Sequence, residues 1–286
     1  MTPPHSTGIP IAWQWHPGDH GHGRPRRAGA LPGRQLGAGA DLWHYVDELR
    51  AGRMTREEFQ EFEAAATRSY GHCNEMGTAS SMACVVEALG MCMPGTATIP
   101  AVDAARLRAA EATGRRAVEL AREELAPVRI LTSQAFDNAI TVLTAIGGST
   151  NVVLHLLAFA GRVGVPLTLT RFGEISQRTP LLVNVRPSGE HLVGDLHEAG
   201  GVPAVLKERE PLLYGDAVAI TGRVLRENVA SSRGTRPQRD CALDRALGSP
   251  GRSCRAPWQS RPTGCDHQAE RCLTRAAPPS RTRPRL

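Results

Sequence analysis

The segment 71–82, GHCNEMGTASSM, joins a cysteine to the start of a predicted helix over Met76–Leu89. Cys73 follows Gly71 and His72 and lies just ahead of that helix. Unpaired N–H groups and the helix dipole stabilise negative charge at such a point. A thiol there is expected to have a lowered pKa and to act as a nucleophile or a metal ligand. The alternative is that Cys73 is a small buried residue.

Two further cysteines follow the GHC segment too far along the chain to share a small metal site with Cys73. Cys84 lies eleven residues beyond Cys73, which is roughly 16 Å along a continuous helix. Cys84 and Cys92 are therefore predicted to be core residues. The seven cysteines are an odd number, which favours reduced thiols or metal ligands over disulfides. The remaining four are Cys241, Cys254, Cys265 and Cys272.

A second stretch with possible chemistry is IGGSTN at 146–151, between two predicted helices. The N–H groups that open the second helix could bind an anion or carboxylate, with Ser149, Thr150 and Asn151 as the binding residues. The same residues could instead form a tight turn with a helix N-cap. The sequence favours the turn and leaves the anion site open.

Two histidine-containing segments give weaker signals. DLHEAGGVP at 195–203 offers Asp195, His197 and Glu198 before a helix, and His197 could be an acid, a base or neither. His16, His20 and His22 near the N-terminus could bind a metal, but no cysteine or carboxylate pattern fixes a site there. A Gly/His-rich tract without a metal is the favoured interpretation.

The elements that must position these residues are mostly helices. Thr55 and Glu58 form a capping box, and the longest helix has one apolar face made of Leu107, Ala110, Gly114, Ala117 and Val118. An amphipathic helix normally turns such a face towards the core. The predicted helices are Asp41–Arg50, Thr55–Arg68, Met76–Leu89, Ala104–Leu125, Ser133–Ile146 and Asn151–Val163. The predicted strands are Leu167–Leu169, Leu181–Val185 and Ala217–Thr221.

Composition divides the 286 residues into three parts. A Gly-, His- and Arg-rich leader, 1–35, and an Arg/Pro-rich tail, 230–286, are predicted to be disordered, on either side of a folded α/β body over 36–229. Hydrophobic residues make up 41% and aromatics 4%, so the core is expected to consist of Ala, Val, Leu and Ile. The tail's composition suggests a non-native reading frame.

Charge and hydropathy restrict the partners and the location. The net charge of +6 comes from the tail, which has twelve arginines and four acidic residues from Ser231 onward. Nucleic-acid binding by this tail is disfavoured, because Trp258 is its only aromatic residue and it lacks a periodic motif. Without about 18 consecutive apolar residues or a secretory signal, a cytoplasmic protein without membrane contact is expected.

Four motifs in one order and spacing resemble the dihydroxy-acid and sugar-acid (aldonate, 6-phosphogluconate) dehydratases. They are GHCNEMGTASSM, EALGMCMPGTATIPA, AIGGSTNVVLHLLA and DLHEAGGVPAVL. The resemblance covers about Leu36 to Val229. It implies the later part of the family's helix-rich N-terminal α/β domain, without its first strands and without the C-terminal barrel-like domain. The residues MGTAS and IPA are more similar to the sequences of the sugar-acid branch.

The resemblance implies a hydro-lyase that converts a 2,3-dihydroxy acid to a 2-keto-3-deoxy acid. In this family, three cysteines hold an iron–sulfur cluster, a Mg²⁺ ion is held by carboxylates and a modified lysine, and a serine alkoxide removes a proton. The metal ions would stabilise the leaving hydroxide and the enolate. Cys73 corresponds to one cluster ligand. The family also implies a small-molecule hydroxy-acid substrate and a homo-oligomer.

The sequence departs from the family at the reaction centre. Residues 1–72 contain no cysteine and no lysine, so two cluster ligands and the Mg²⁺ ligands have no match. The serine motif has no match either, and Thr221-Gly222-Arg223 is only superficially similar to it. We therefore expect a dehydratase fragment that is inactive alone and does not retain its cofactors. Two alternatives remain: a half-site subunit that needs a partner chain, and a non-catalytic interaction protein.

Overall fold

A computed structural model describes residues 24–32, 34–37 and 39–231 of the chain. Several predictions lie outside these residues: the three N-terminal histidines, the four C-terminal cysteines, and the disorder of 1–23 and 232–286. Within the described part, no helix is both long enough and apolar enough to cross a membrane.

The described chain is helix-rich, as the sequence predicted. Two short antiparallel strands, β1 and β2, pair Gly29 with Leu36 and Leu31 with Arg34. In chain order the elements are β1 Gly29–Leu31, β2 Arg34–Leu36, α1 Ala40–Arg50, α2 Arg56–Ala66, α3 Thr78–Ala88, α4 Ala104–Arg122, α5 Pro127–Ile130, α6 Ser133–Ala145, α7 Asn151–Val163, α8 Leu169–Arg178, α9 Val193–Glu198, α10 Gly201–Glu208, a 3-10 turn Glu210–Leu212 and α11 Leu225–Ser231.

Helix α6 is the centre of the core. Every side chain from Ala135 to Ala145 is buried, and α3, α7, α8 and α10 pack around this helix. The core is built mainly from aliphatic side chains, as the low aromatic content predicted, with Phe136 and Phe172 among the exceptions. The small residues of α3 allow it to lie close to α6.

Most predicted helices begin and end within a few residues of those observed. The capping box at α2 is present: the Glu58 N–H donates to Thr55 Oγ1 over 3.2 Å, and the Thr55 N–H donates to Glu58 Oε2 over 2.8 Å. Cys84 and Cys92 are buried, as predicted.

The three predicted strands are wrong. Thr168 caps α8, so Leu169 begins a helix. The segment 181–185 is extended, but the N–H groups of Leu182 and Val183 both donate to the Ala145 carbonyl at the end of α6. Segment 217–221 forms a single bridge, between Val218 and Val224. Leu167 and Leu169 are only partly buried, whereas Leu182, Val183 and Ile220 lie in the core. A short apolar run does not distinguish these surroundings from a sheet.

The orientation of α4 also differs from the expectation. Leu107 and Val118, on its predicted apolar face, are 76% and 53% exposed. The face that contacts the body contains Thr113, Arg116 and Leu120. The Arg116 guanidinium donates to the Ile220 carbonyl and to two glutamates of α4 and its C-terminal cap, so a charged residue replaces the expected apolar contact.

The folded body begins before residue 36. Arg24 and Pro25 are buried, and Gly29–Leu36 form the β1–β2 hairpin. The Pro25 carbonyl accepts from the Ala101 N–H over 2.9 Å. The predicted disorder to residue 35 is therefore wrong for residues 24–32 and 34–35, because backbone pairing orders a Gly- and Arg-rich segment without an apolar pattern of its own.

Candidate functional site

The GHC segment is held by backbone pairing with residues 24–26. The Arg26 N–H donates to the His72 carbonyl over 2.9 Å, and the His72 N–H donates to the Arg24 carbonyl over 2.8 Å. Gly71 has a φ of +128°, and a Cβ at this position would overlap the backbone of Arg24 and Arg26. Only glycine fits at this point, which accounts for the first residue of the motif.

Cys73 is half-buried, and its surroundings differ from the expectation. Burial raises the pKa of its thiol, while the N–H groups of Glu75 and Asn74 that point at the sulfur act in the opposite direction. The expected lowering by a helix start does not occur, because α3 begins only at Thr78 with Gly77 as its N-cap. The effect of a helix dipole is confined to about one turn.

The residues after Cys73 connect it to the segment 186–193, which leads into the fourth motif. The Asn74 side-chain amide donates to the Leu36 carbonyl over 3.3 Å, and the Asn74 carbonyl accepts from the Val193 N–H over 2.9 Å. The Met76 N–H donates to the Arg186 carbonyl over 2.7 Å. Chain segments more than 100 residues apart in sequence therefore fix the path of the Cys73 loop.

A buried carboxylate lies next in the same loop. Glu75 is 6% exposed, and a Cβ at Gly37 or Gly39 would overlap its carboxylate oxygens. Asp41 accepts from the Gly37 N–H and from the Arg186 guanidinium, both over 2.7 Å. The glycines at the start of α1 thus allow a close approach to an acidic residue that adjoins Cys73.

The structure brings the third motif to the start of α3. Thr78 Oγ1 lies 3.0 Å from Ser149 Oγ and accepts from the Asn151 side-chain amide over 3.0 Å. The Ser149 N–H donates to Ser81 Oγ over 2.9 Å. Five residues after Cys73 in sequence, Thr78 is therefore the contact between the GHC and GGSTN motifs.

The GGSTN segment has the tight-turn geometry that the sequence favoured. Gly147 has a φ of +60°, and Ser149 Oγ accepts from the Asn151 N–H over 3.3 Å. Thr150 is exposed, and its side chain makes no capping bond. Gly77, the N-cap of α3, has no side chain to accept from the first N–H groups of that helix. The first N–H groups of α7 are bonded within the turn, from Asn151 to Ser149 Oγ and from Val152 and Val153 to the Ser149 and Thr150 carbonyls, so an anion here would meet the Thr150 hydroxyl and the start of α3.

The second and fourth motifs meet at His197. His197 Nδ1 lies 3.1 Å from Thr98 Oγ1, and a Cβ at Gly201 would overlap this threonine oxygen. Burial lowers the pKa of His197. Asp195 accepts from the Leu192 N–H over 2.8 Å and so holds the start of α9. The contact with Thr98 fixes the imidazole ring, whose charged form burial disfavours.

Glu87 of α3 holds the loop that leads to Thr98. Its two carboxylate oxygens accept from the N–H groups of Gly95 and Ala97 over 2.7 and 2.8 Å. Glu87 is 4% exposed, and burial raises its pKa to about 7. The buried Glu87 carboxylate thus holds the backbone of the PGTAT turn in the second motif.

Sequence reasoning missed the individual residues that connect the motifs. Thr78, Thr98 and Glu87 were within quoted motifs but were not singled out. Glu87 gave a usable signal, because an acidic residue in a helix of small apolar residues needs buried partners. Thr78 gave none, because a threonine at a helix start is commonly only a cap. Thr98, in the PGTAT turn, gave none either.

The described cysteines supply at most one ligand for an iron–sulfur cluster. Clusters are held by several cysteine thiolates, whereas Cys84 lies in the apolar core and the thiol of Cys92 is 3.0 Å from Thr96 Oγ1. No three His, Cys, Asp or Glu side chains within the described residues are grouped so that they could hold a metal ion. These residues alone therefore do not fit a complete cluster or Mg²⁺ site.

Comparison with known proteins agrees with this arrangement of motifs. The family model described as the dihydroxy-acid/6-phosphogluconate dehydratase N-terminal domain matches residues 25–228. The chain belongs to this dehydratase family, of which it carries N-terminal domain sequence.

Relatives from several organisms share a similar percentage of identical residues with this chain. An L-arabinonate dehydratase of Rhizobium leguminosarum is 43% identical over 209 residues, which are 72% of this chain and 36% of the relative. Dihydroxy-acid dehydratases of Acetivibrio thermocellus and Sulfurisphaera tokodaii are 43% and 45% identical, over 73% and 66% of this chain and 37% and 34% of those proteins. The chain spans little more than a third of the length of these relatives.

Proposed function

We propose that this chain carries part of the active site of an iron–sulfur dehydratase that converts 2,3-dihydroxy or sugar acids to 2-keto-3-deoxy acids. The main support is the direct hydrogen bonding of the four motifs. Thr78 joins the first to the third, Asn74 joins the first to Val193, two residues before the fourth, and Thr98 joins the second to the fourth. Segments more than 100 residues apart are thereby linked to the Cys73 loop or to each other.

Cys73 is the residue that we assign to the cluster. When bound, the cluster would supply a Lewis acid for the departing hydroxyl group. The chain's own contribution is a thiol beside the N–H groups of Asn74 and Glu75. Hydrogen bonds of this kind to a ligating sulfur tune a cluster and orient its ligand. Pairing of His72 with Arg24 and Arg26 fixes the backbone, so the thiol is positioned before any cofactor binds.

Ser149, Thr150 and Asn151 are the residues that we assign to the substrate or another anion. Ser149 and Asn151 are already linked to Thr78, which fixes their side chains at the start of α3. The exposed Thr150 hydroxyl makes no capping bond. Side-chain hydroxyl and amide groups of this kind are suited to the carboxylate and hydroxyl groups of a small hydroxy acid, and the start of α3, whose N-cap Gly77 has no side chain, lies beside them.

Catalysis requires groups that this sequence does not contain. The 286 residues include no Cys-Asp-Lys motif and no serine motif of the family type. A partner polypeptide with those motifs would complete the site, which is the half-site alternative; without one, the chain would serve as a non-catalytic interaction protein. The similarity to an L-arabinonate dehydratase and to dihydroxy-acid dehydratases leaves both substrate classes in the proposal.

The 286-residue chain alone is expected to show no dehydration of aldonates or of 2,3-dihydroxy-3-methylbutanoate. The hydroxyl at C3 is a poor leaving group and the C2 proton is weakly acidic, so both a Lewis acid and a base are required. A keto-acid assay under anaerobic conditions measures this, with an intact relative as the positive control. Turnover above the protein-free rate would contradict the proposal that the chain needs further motifs.

Anaerobic reconstitution with iron and sulfide is expected to leave less than one cluster per chain. Among the residues that the structure describes, one half-buried thiol and two thiols in the core do not provide the ligand set that a cluster needs. Iron and acid-labile sulfide analysis of the chain and of the Cys73→Ala variant measures this. A stoichiometric cluster that is lost in the Cys73→Ala variant would show that other cysteines complete the site.

A further inference from the structure

Arg186 bonds to the Cys73 loop through its backbone and to α1 through its side chain. Its carbonyl accepts from the Met76 N–H over 2.7 Å, three residues after Cys73. Its guanidinium donates from Nη1 to Asp41 Oδ2 over 2.7 Å and from Nε to the Glu190 carbonyl over 3.0 Å. The first turn of α1 and the loop that carries Cys73 are therefore held by one residue, although Arg186 lies more than 100 positions later in the chain.

The ion pair between Arg186 and Asp41 is largely buried. The Asp41 side chain is 4% exposed and the Arg186 side chain is 23% exposed. The same Asp41 oxygen accepts from the Gly37 N–H over 2.7 Å, so the pair also holds the residue that follows β2. Because a buried charge is costly once its partner is removed, replacement of either side chain is expected to open this region locally.

A second buried carboxylate lies at the same point. Glu75 is 6% exposed and lies two residues after Cys73. A Cβ built at Gly37 would overlap Glu75 Oε1 and would lie 3.1 Å from Arg186 Nη1. The guanidinium group therefore lies beside two buried carboxylates, those of Asp41 and Glu75, and the second of these belongs to the Cys73 loop.

We propose that Arg186 is a positioning residue for Cys73, which it holds in a half-buried place by binding the loop with its carbonyl and Asp41 with its guanidinium. The inference rests on the proposed function, because the positioned thiol is the one assigned to the cluster. Arg186 touches no reacting group and acts only on the path of the backbone over 73–76. A metal ligand that is held in place by such supporting contacts needs no rearrangement when the metal binds.

Alkylation of the cysteines in the full 286-residue chain tests this role without a cofactor. The rate constant for reaction with iodoacetamide is measured at each cysteine by mass spectrometry of the digested protein. Arg186→Met is expected to raise the Cys73 rate about tenfold or more, because the loop loses an anchor and the thiol leaves its half-buried place. The rates at the buried Cys84 and Cys92 are expected to stay unchanged, and they report on the fold as a whole.

Three further variants separate positioning from the loss of any arginine. Arg186→Lys keeps a positive charge within reach of Asp41 and is expected to return the Cys73 rate to within about threefold of wild type. Arg53→Met breaks an exposed ion pair with Glu48 of α1 and is the matched control, which is expected to leave the Cys73 rate unchanged. Asp41→Asn is expected to act as Arg186→Met does, and the double variant no more strongly than either single variant, because both remove the same contact.

A chimera gives a second readout at the cluster itself. In this chimera, residues 25–228 of the present chain replace the matching segment of the L-arabinonate dehydratase. Arg186→Met is expected to lower the iron content and the visible absorption of the cluster, and Arg186→Lys is expected to restore both.

The two readouts distinguish a failure of the positioning role from a failure of the proposed function. An unchanged Cys73 rate in Arg186→Met, or equal increases at Cys73, Cys84 and Cys92, would overturn the positioning role. Unchanged iron and absorption in the Arg186→Met chimera would overturn it as well. A Cys73→Ala chimera that keeps its iron would instead refute the assignment of Cys73 to the cluster, whereas a selective rise of the Cys73 alkylation rate would still support the contact of Arg186 with the loop.

Discussion

Replacing Cys73 with alanine is expected to lower dehydratase activity at least about a hundredfold in a chimera that contains residues 25–228 of this chain. The chimera replaces the matching segment of the L-arabinonate dehydratase, which is 43% identical to this chain over 209 residues. Because the relative is named as a dehydratase, the rest of its chain is expected to supply the groups that this sequence lacks. Alanine has no donor atom, and loss of even an outer-shell partner of a metal site commonly costs 10–100-fold.

The matched control is Cys92→Ala in the same chimera. Cys92 is also a cysteine, but unlike the half-buried Cys73 it is fully buried, and its thiol contacts Thr96. Its replacement is expected to lower thermal stability and to leave the turnover number within a few-fold. Keto-acid formation and iron content are measured for both variants. If the Cys73→Ala chimera is active and retains its iron, the assignment of Cys73 to the cluster is wrong.

A third variant separates positioning from ligation. Thr78→Val removes the hydroxyl that joins Ser149 and Asn151 but keeps the size of the side chain. If these residues bind the substrate, the chimera is expected to retain its iron and to show a raised KM. Loss of iron in this variant would instead indicate that Thr78 acts on the path of the Cys73 loop.

The helices could be predicted from the sequence because their signals are local. The Thr55–Glu58 capping box and the periodic apolar residues of α6 and α7 depend on residues within a few positions of each other. The strand predictions failed because strand formation depends on distant partners. In the segment 181–185, the N–H groups of Leu182 and Val183 donate to the Ala145 carbonyl at the end of α6. A contact of that kind has no signature within the segment.

The outward side of α4 shows another limit of periodicity. An apolar stripe indicates that a helix side is covered, but not what covers it. The Arg116 side chain can be buried because the Ile220 carbonyl and two glutamates satisfy its guanidinium group. That network depends on a loop about 100 residues away. The sequence therefore identified the stripe but not the side that faces the body.

The site could be predicted in its parts but not in its assembly. Cys73 and the 149–151 turn were identified from residue types, and their connection through Thr78 required the packing of α3 against α7. The pKa of Cys73 was expected to be lowered, whereas burial raises it. The error came from the helix boundary: α3 begins at Thr78 and not at Met76, which moves the helix start away from the sulfur.

Between pH 5 and pH 8 the free energy of unfolding is expected to fall by up to about 3 kcal/mol more in wild type than in a Glu87→Gln variant. Burial raises the pKa of Glu87 from its ordinary value of 4.5 to about 7. The folded state therefore holds a proton that the unfolded state releases in this range. Protonation thus stabilises the fold below pH 4.5, and this contribution is lost as the pH rises through 7.

Chemical denaturation at a series of pH values measures this difference. Glutamine is uncharged throughout, so subtraction removes the contributions of other groups, including Arg24, Cys84 and Cys92, which lie near the carboxylate. Glu63→Gln changes an exposed glutamate of α2 and serves as the control. It is expected to follow the wild-type pH dependence, and equal pH dependence of wild type and Glu87→Gln would show that the carboxylate stays ionised.

Glu87→Ala separates the hydrogen bonds from the charge. Glutamine keeps one acceptor for the N–H groups of Gly95 and Ala97, whereas alanine keeps none. Since a buried donor without a partner costs about 1–3 kcal/mol, the alanine variant is expected to be less stable than the glutamine variant by about that amount. The loop that Glu87 holds leads to Thr98 and through it to His197. Faster hydrogen exchange at Gly95 and Ala97 in Glu87→Ala than in Glu87→Gln is therefore expected, and equal exchange would mean that the loop is held by other contacts.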